Sequence, residues 1–175
     1  MTTELSMLLD QALSHIPDPR NSLPTEAFYF VSRLTPMINV DLLIKNKKGQ
    51  TLLTWRHDQF YGPAWHIPGG IIRFKERIED RVAKVAEIEL GCRVRSADTP
   101  LHVRPMINTE RDVRGHFISL LYLCSLESEL DPLKKCQTPT PNVGDWAWHD
   151  HCPKNLLSVH ESFRVFIDET PPLEL

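Results

Sequence analysis

Gly69 and Gly70 precede a charged segment in which Glu76 follows Gly70 after five residues, Lys84 follows Glu76 after seven, and Glu89 and Gly91 close the run. Carboxylates three or four residues apart on a helix project from one face. Oxygen ligands of that kind suit Mg²⁺ or Mn²⁺, and such an ion neutralises a diphosphate and helps it leave. Here Glu89 stands nearly alone, because Val85 and Ile88 occupy the neighbouring positions of that face. One carboxylate with one backbone carbonyl holds a single hard cation that keeps several waters, not a cluster of ions.

Each of these residues also has a plainer role. An anion near the carboxyl end of a helix gains nothing from the helix dipole, so Glu89 at that end reads as a ligand rather than a solvated charge. Glu76 falls just before the helix, where a carboxylate caps free amides, and bracing is its first role. Ile78, Val82, Val85 and Ile88 or Glu89 follow helical spacing, and Val85 and Ile88 read as core. The two glycines read as a turn under either role. Tryptophans flanking a strand, as Trp146 and Trp148 do, read as core before they read as a stacking wall.

The elements that must position these groups follow from periodicity. Leu5, Leu8, Leu9, Ala12, Leu13 and Ile16 recur at helical spacing until "IPDP" stops them. Residues 17–25 hold three prolines and read as a linker. From Phe28 the pattern is read as strands, with "MINVDLLIKNKKGQTLLTWR" as a hairpin turning at Gly49. "HDQFYGPAW" reads as a loop, and the glycine turn feeds a helix over about 77–90. "PLHVRPMI" and "GHFISLLYLCSL" are further strands, the second apolar enough to lie centrally. Residues 127–141 form a long loop, "DWAWH" a last strand, and Leu156 to Ile167 a closing helix. Strands and helices in this order predict α/β layers around a mixed sheet and argue against a doubly wound parallel one.

Composition narrows the partners. At 175 residues with a net charge of −3, the chain has no basic field for nucleic acid. No segment approaches the length of a membrane span, and "MTTELSMLLDQALSHIPDP" lacks the pattern of a targeting peptide. Cys92, Cys124, Cys136 and Cys152 show no paired spacing, so they read as separate thiols in a reducing compartment.

From "AWHIPGG" to Cys92 the chain resembles the Nudix box: Gly, five residues, Glu, seven residues, Arg-Glu, apolar, any, Glu-Glu, any, Gly, apolar. Lys84 stands for the arginine, Val85 for the first glutamate, and Ile88 for the first of the pair. The flanks are similar to the GDP-mannose mannosyl hydrolase branch of that family, from Arg33 to Arg56 and through "DWAWHDHCPKNLLSVHESFRVF", so the likeness spans roughly residues 30–168. In that branch GDP is displaced from the anomeric carbon of the sugar.

The resemblance implies a Nudix-like α/β/α sandwich around a mixed β-sheet over residues 26–170, after an N-terminal helix and linker over 1–25. It implies a Mg²⁺-dependent hydrolase, with Mn²⁺ as the alternative ion, acting on a nucleotide-sugar or another nucleoside diphosphate derivative, cytoplasmic and homodimeric. Carried over by position, Gly69, Glu89 and Asn142 would hold the metal. Asp41, Arg56 and Phe117 would contact substrate, and Glu89, Arg56, Lys84 and Glu76 would make up the catalytic set. Val143 takes the place of the general-base histidine and Ile71 that of a diphosphate-binding arginine, which leaves His66, His149, His151, Asp145 and Glu110 as substitute bases. Two rivals stay open: a pyrophosphatase attacking phosphorus, and a non-catalytic domain that binds a nucleotide or a partner.

Overall fold

The computed structural model describes residues 3–173. Helix α1, Glu4–Ser14, begins where the Thr3 hydroxyl accepts the Ser6 amide, as a threonine N-cap does. None of its residues is buried. A second helix, α2, Thr25–Ser32, follows. By sequence pattern alone this stretch divides between the linker and the first strand. It is helical because Pro24 pre-sets the entry to the first turn, and Phe28 and Ser32 turn inward.

Strand β1, Met37–Ile44, is the axis of the fold. It pairs antiparallel with β4, Gly69–Ile71, on one edge and parallel with β7, His116–Leu126, on the other. The opposite edge of β7 takes β5, Val94–Ser96, and β6, His102–Ile107. A separate antiparallel sheet runs β3–β2–β8, formed by Ala64–His66, Thr51–Arg56 and Trp146–His149. The expected hairpin at Gly49 therefore survives only at its neck, as a single Lys45–Thr51 bridge. Both edges of β1 are already taken, so β2 leaves for the second sheet.

Alternation along β1 sorts its side chains between two cores. Val40, Leu42 and Ile44 pack against Val82, Val85, Ala86 and Leu90 of the box helix. Leu43 faces the other way, with Leu53, Ile67, Phe163 and Ile167. Each fully buried aliphatic side chain of this kind contributes about 1.5–3 kcal/mol. Layers of helix, sheet and helix result, a Nudix-like α/β/α arrangement around a mixed sheet.

The box helix has two parts. α3, Ile78–Val85, is regular, and Ala86–Leu90 continues it as a π-helical turn that ends at Gly91 with φ +64°. The wide turn shifts the register of the last residues. Val85 is buried as expected, but Ile88 is 59% exposed, which corrects its assignment to the core. The closing segment is likewise a 3₁₀ turn, Ser158–Phe163, before the short α4, Arg164–Glu169.

Candidate functional site

The two glycines do not form a turn. They sit in β4, with Gly69 opposite Asp41 and Gly70 opposite Val40. What they provide is close approach. A Cβ on Gly70 would lie 2.7 Å from Val85 Cγ2, and one on Gly69 would run into the Asp41 carboxylate and stand 2.8 Å from Val40 O. Glycine lets the strand lie against both the helix and β1.

Beside β4 opens a cavity of about 990 Å³. Asp41, Arg56, Gly69, Glu89 and Phe117, all named from sequence, line it. Glu89 Oε1 accepts the Gly69 amide at 3.2 Å, and Oε2 lies 3.4 Å from Thr54 Oγ1. Burial pushes the Glu89 carboxyl up to about 7, against the Gly69 hydrogen bond and the Arg56 charge, with Asp41 nearby adding to the rise. Asp41 is fully buried and accepts hydrogen bonds from Ser119 Oγ and, at 2.9 Å, from Asn39 Nδ2. Burial still carries its pKa to about 6.

Two neutral histidines complete this wall. His66 Nδ1 donates to Ile67 O at 2.8 Å, which leaves Nε2 to accept from the Thr54 hydroxyl at 3.0 Å. His160 Nδ1 accepts the Ile67 amide at 3.1 Å, so its Nε2–H points to Asp41 Oδ1, 3.7 Å away. Burial holds both imidazoles down at about 3, with mutual repulsion adding to it at His66 and the Arg56 charge at His160. Arg56 is held by Asp58 at 2.6 Å and lies over the Tyr61 ring at 4.5 Å.

Other expected residues lie elsewhere. Lys84 is outside the cavity lining, in an exposed pair with Glu87 at 3.3 Å, because α3 turns that position to solvent. Asn142 is also outside: its backbone and side-chain N–H groups both donate to Asp145 Oδ2, which closes a local turn. Its neighbours Val143, 67% exposed, and Gly144 face the cavity instead. Glu76 accepts from the Arg73 amide and from Arg81 Nε and Nη2 at 2.7–2.9 Å, so both its oxygens are committed to bracing. Of the substitute bases only His66 reaches the cavity; His149 packs edge-on against Trp65, His151 is exposed, and Asp145 and Glu110 lie outside the lining.

His160, Thr54, Ser119 and the cavity arginines Arg73, Arg104 and Arg114 were missed from sequence. His160 carried a signal: Leu156, His160, Phe163 and Ile167 share one helical spacing, which places the imidazole on the buried side. Thr54 and Ser119 carried none, since a hydroxyl on a strand looks the same inside or out.

The donors at this wall are hard oxygens whose ionisation is resisted by burial and by each other, and one divalent cation would relieve both. The set fits a single Mg²⁺-like ion. Among the described residues no group of three or more His, Cys, Asp or Glu side chains forms a cage, and an ion that keeps several waters does not require one.

Comparisons with known proteins agree with this fold. The family model described as "NUDIX domain" matches residues 35–152. The low-salt glycan biosynthesis protein Agl8 of Haloferax volcanii is 25% identical over 115 residues, 63% of this chain and 72% of that protein. The crystal structure of a MutT NUDIX hydrolase from Burkholderia pseudomallei superposes with a TM-score of 0.57 at 21% identity, covering 78% of this chain and 98% of that one. A MutT protein from Methanosarcina mazei Go1 gives 0.57 at 18% identity, covering 77% and 95%.

Proposed function

The chain belongs to the Nudix family, and from that premise we propose that it hydrolyses a nucleoside diphosphate derivative, a nucleotide-sugar before others, with one Mg²⁺ held at Glu89. The observation that supports this most is one cavity that gathers four carboxylates, Asp41, Asp58, Glu89 and Glu161, of which burial raises the pKa of Asp41 and Glu89, together with Lys134 and four arginines, Arg56, Arg73, Arg104 and Arg114. Carboxylates that suit a divalent cation and guanidinium groups in the same cavity suit a diphosphate, and the cavity volume suits a ligand of nucleotide-sugar size. The similarity to a protein named for glycan biosynthesis is in line with a sugar on the substrate.

When bound, Mg²⁺ neutralises charge on the departing diphosphate; Mn²⁺ has the same ligand preference. The chain's own residues do the rest. Glu89 would hold the ion, and the Gly69 amide fixes the carboxylate's direction. Arg56, clamped by Asp58 and Tyr61, meets the diphosphate charge. His66 stays neutral and keeps the Thr54 hydroxyl turned towards itself. Asp41, whose pKa burial carries to about 6, is the buried carboxylate that would take a proton from water in the cavity. A cytoplasmic setting suits four unpaired thiols.

A second reading, a domain that binds a nucleotide without turning it over, has its own support: apolar Val143 and Ile88 are exposed at the cavity. GDP-, UDP- and ADP-sugars incubated in ¹⁸O-water with and without Mg²⁺, beside Glu89→Gln, separate the readings. Label in the free sugar marks attack at carbon and label in phosphate marks attack at phosphorus. Binding with no product in any arm supports the second reading and overturns the first.

A further inference from the structure

Arg73 and Arg114 stand on a wall shared by two cavities. One is the cavity described above. The other, about 420 Å³, lies between α2 and the loop after β2 and is walled by Phe28, Tyr29 and Phe60; both cavities count Asp58, Ile71, Arg73 and Arg114 in their lining.

The Arg114 guanidinium is held by aromatic rings, and neither guanidinium is fully satisfied. Arg114 lies over the rings of Phe60 and Phe28, at 5.1 and 5.3 Å, and its amide donates to Ser32 Oγ at 3.1 Å. Its backbone takes φ +54°, a left-handed conformation uncommon for arginine. Arg73 gives its amide to Glu76. Yet Nε of each is buried with no hydrogen-bond partner among the described residues. Buried donors are nearly always paired in native proteins, and an orphan calls for an explanation. Two guanidinium groups that line the same junction, each with an unpartnered donor, suit an anion there, and the planar guanidinium fits a phosphoryl group best. Burial and the neighbouring charges of Arg81 and Arg56 lower the pKa of Arg73 and Arg114 respectively, and an anion would offset that repulsion.

We propose that Arg73 and Arg114 form a phosphate-binding subsite at the junction of the two cavities, anchoring the diphosphate while the nucleoside base enters the aromatic chamber beside Tyr29 and Phe60. The assignment rests on the reading of a nucleoside diphosphate derivative as substrate. It gives the diphosphate a guanidinium two residues beyond Ile71 and assigns a role to α2, an element outside the box.

Metal-free calorimetry with inorganic pyrophosphate and with GDP and UDP tests this on the full chain, using Arg73→Gln, Arg114→Asn and Tyr29→Ala, with exposed Arg77→Gln as a charge control. Asparagine tolerates the left-handed backbone at 114, and Arg73→Gln retains the amide contact to Glu76, so each variant checks the other. A lost charge-assisted hydrogen bond predicts about tenfold or greater weakening of both ligand types in either arginine variant, and weakening of the nucleotides alone in Tyr29→Ala. Undiminished affinity in both arginine variants overturns the subsite and leaves the substrate reading standing. Equal weakening of pyrophosphate and nucleotides in Tyr29→Ala overturns the placement of the base. A parent protein that binds none of the three ligands without metal overturns the subsite, and the substrate reading then stands or falls on the ¹⁸O assay with Mg²⁺.

Discussion

Glu89 reaches back to Gly69, twenty residues earlier, and accepts its amide at 3.2 Å. That contact joins the π-turn at the end of the box helix to the strand that carries the two glycines. It aims the surviving box carboxylate into the cavity while Ile88, one residue earlier, is left at the rim. The direction of that carboxylate rests on this tie and on the Thr54 hydroxyl, 3.4 Å from its other oxygen.

The ionisation of Glu89 gives a first test. Its pKa rises from 4.5 to about 7 on folding, so between those values the folded protein holds more protons than the unfolded one. Stability is then lost as pH rises through that window. Metal-free Glu89→Gln is therefore expected to melt at a higher temperature than the parent near pH 8 and at the same temperature near pH 4. Mg²⁺ competes with the proton, so its affinity falls about tenfold per pH unit below 7. Calorimetric titration at several pH values checks this, and a flat profile would remove Glu89 from the metal site.

Gly69→Ala tests close approach. The added methyl group must displace the Asp41 carboxylate or the Val40 carbonyl, both buried in the neighbouring strand. Overpacking of this kind costs about 1–3 kcal/mol. Urea unfolding is expected to show that loss. A turn that merely needed flexibility would accept alanine with a smaller penalty.

How far the site could be read from sequence depended on whether a residue's role was local or set by packing. Val85 followed from helical spacing, the place of Glu89 and Gly91 from the box spacing, and the burial of β7 from its apolar run. Gly69 and Gly70 were located but misread, because glycine enters a strand for space as readily as it enters a turn for its φ angle. Ile88 was placed in the core because a regular helix was assumed, and a π-turn leaves no mark in the spacing. Helix α2 went unread since eight residues beside three prolines carry too little pattern, and Arg73 and Arg114 looked like any loop arginines until folding enclosed them. The distance of Asn142 from the cavity follows from a side-chain turn to Asp145 that alignment by position does not capture.

Thr54→Val keeps the shape and removes the hydroxyl. His66 Nδ1 is engaged with Ile67 O, so Nε2 would lose its hydrogen-bond donor in a buried position. Leaving one such group unpaired costs about 1–3 kcal/mol. The loss is expected in denaturant unfolding at neutral pH, where the imidazole remains uncharged. An unchanged midpoint would mean that water replaces the hydroxyl.

The two lysines near the end of the box helix should separate cleanly. Lys134 Nζ donates to the carbonyls of Ile88 and Glu89, at 2.7 and 3.2 Å, at the negative end of the helix. Lys134→Ala is expected to cost about 0.5–2 kcal/mol and to loosen the segment that carries Glu89, which hydrogen exchange at Gly91 would register. Lys84→Ala, which removes only an exposed pair with Glu87, should stay within about 0.5 kcal/mol.

Glu76 and Arg81 make the strongest case for a box residue acting through structure. Their side chains are 16% and 10% exposed and share a two-pronged contact, with the Arg73 amide as a third donor to the same carboxylate. Burial would raise the Glu76 pKa, but the Arg73 amide and the Arg81 guanidinium outweigh it and hold the group below its usual range. A depressed carboxylate stabilises the fold above its unfolded pKa and loses that contribution as pH falls through the folded one. Glu76→Gln leaves the Arg81 charge without its counter-ion, for a loss of about 2–4 kcal/mol near pH 7 that shrinks towards pH 3. Adding Arg81→Gln should recover part of it, since the unpaired charge is then gone. Mg²⁺ affinity in the folded single variant should stay near the parent's, because neither oxygen of Glu76 faces a free position. A large drop in metal affinity with little change in stability would instead make Glu76 a ligand.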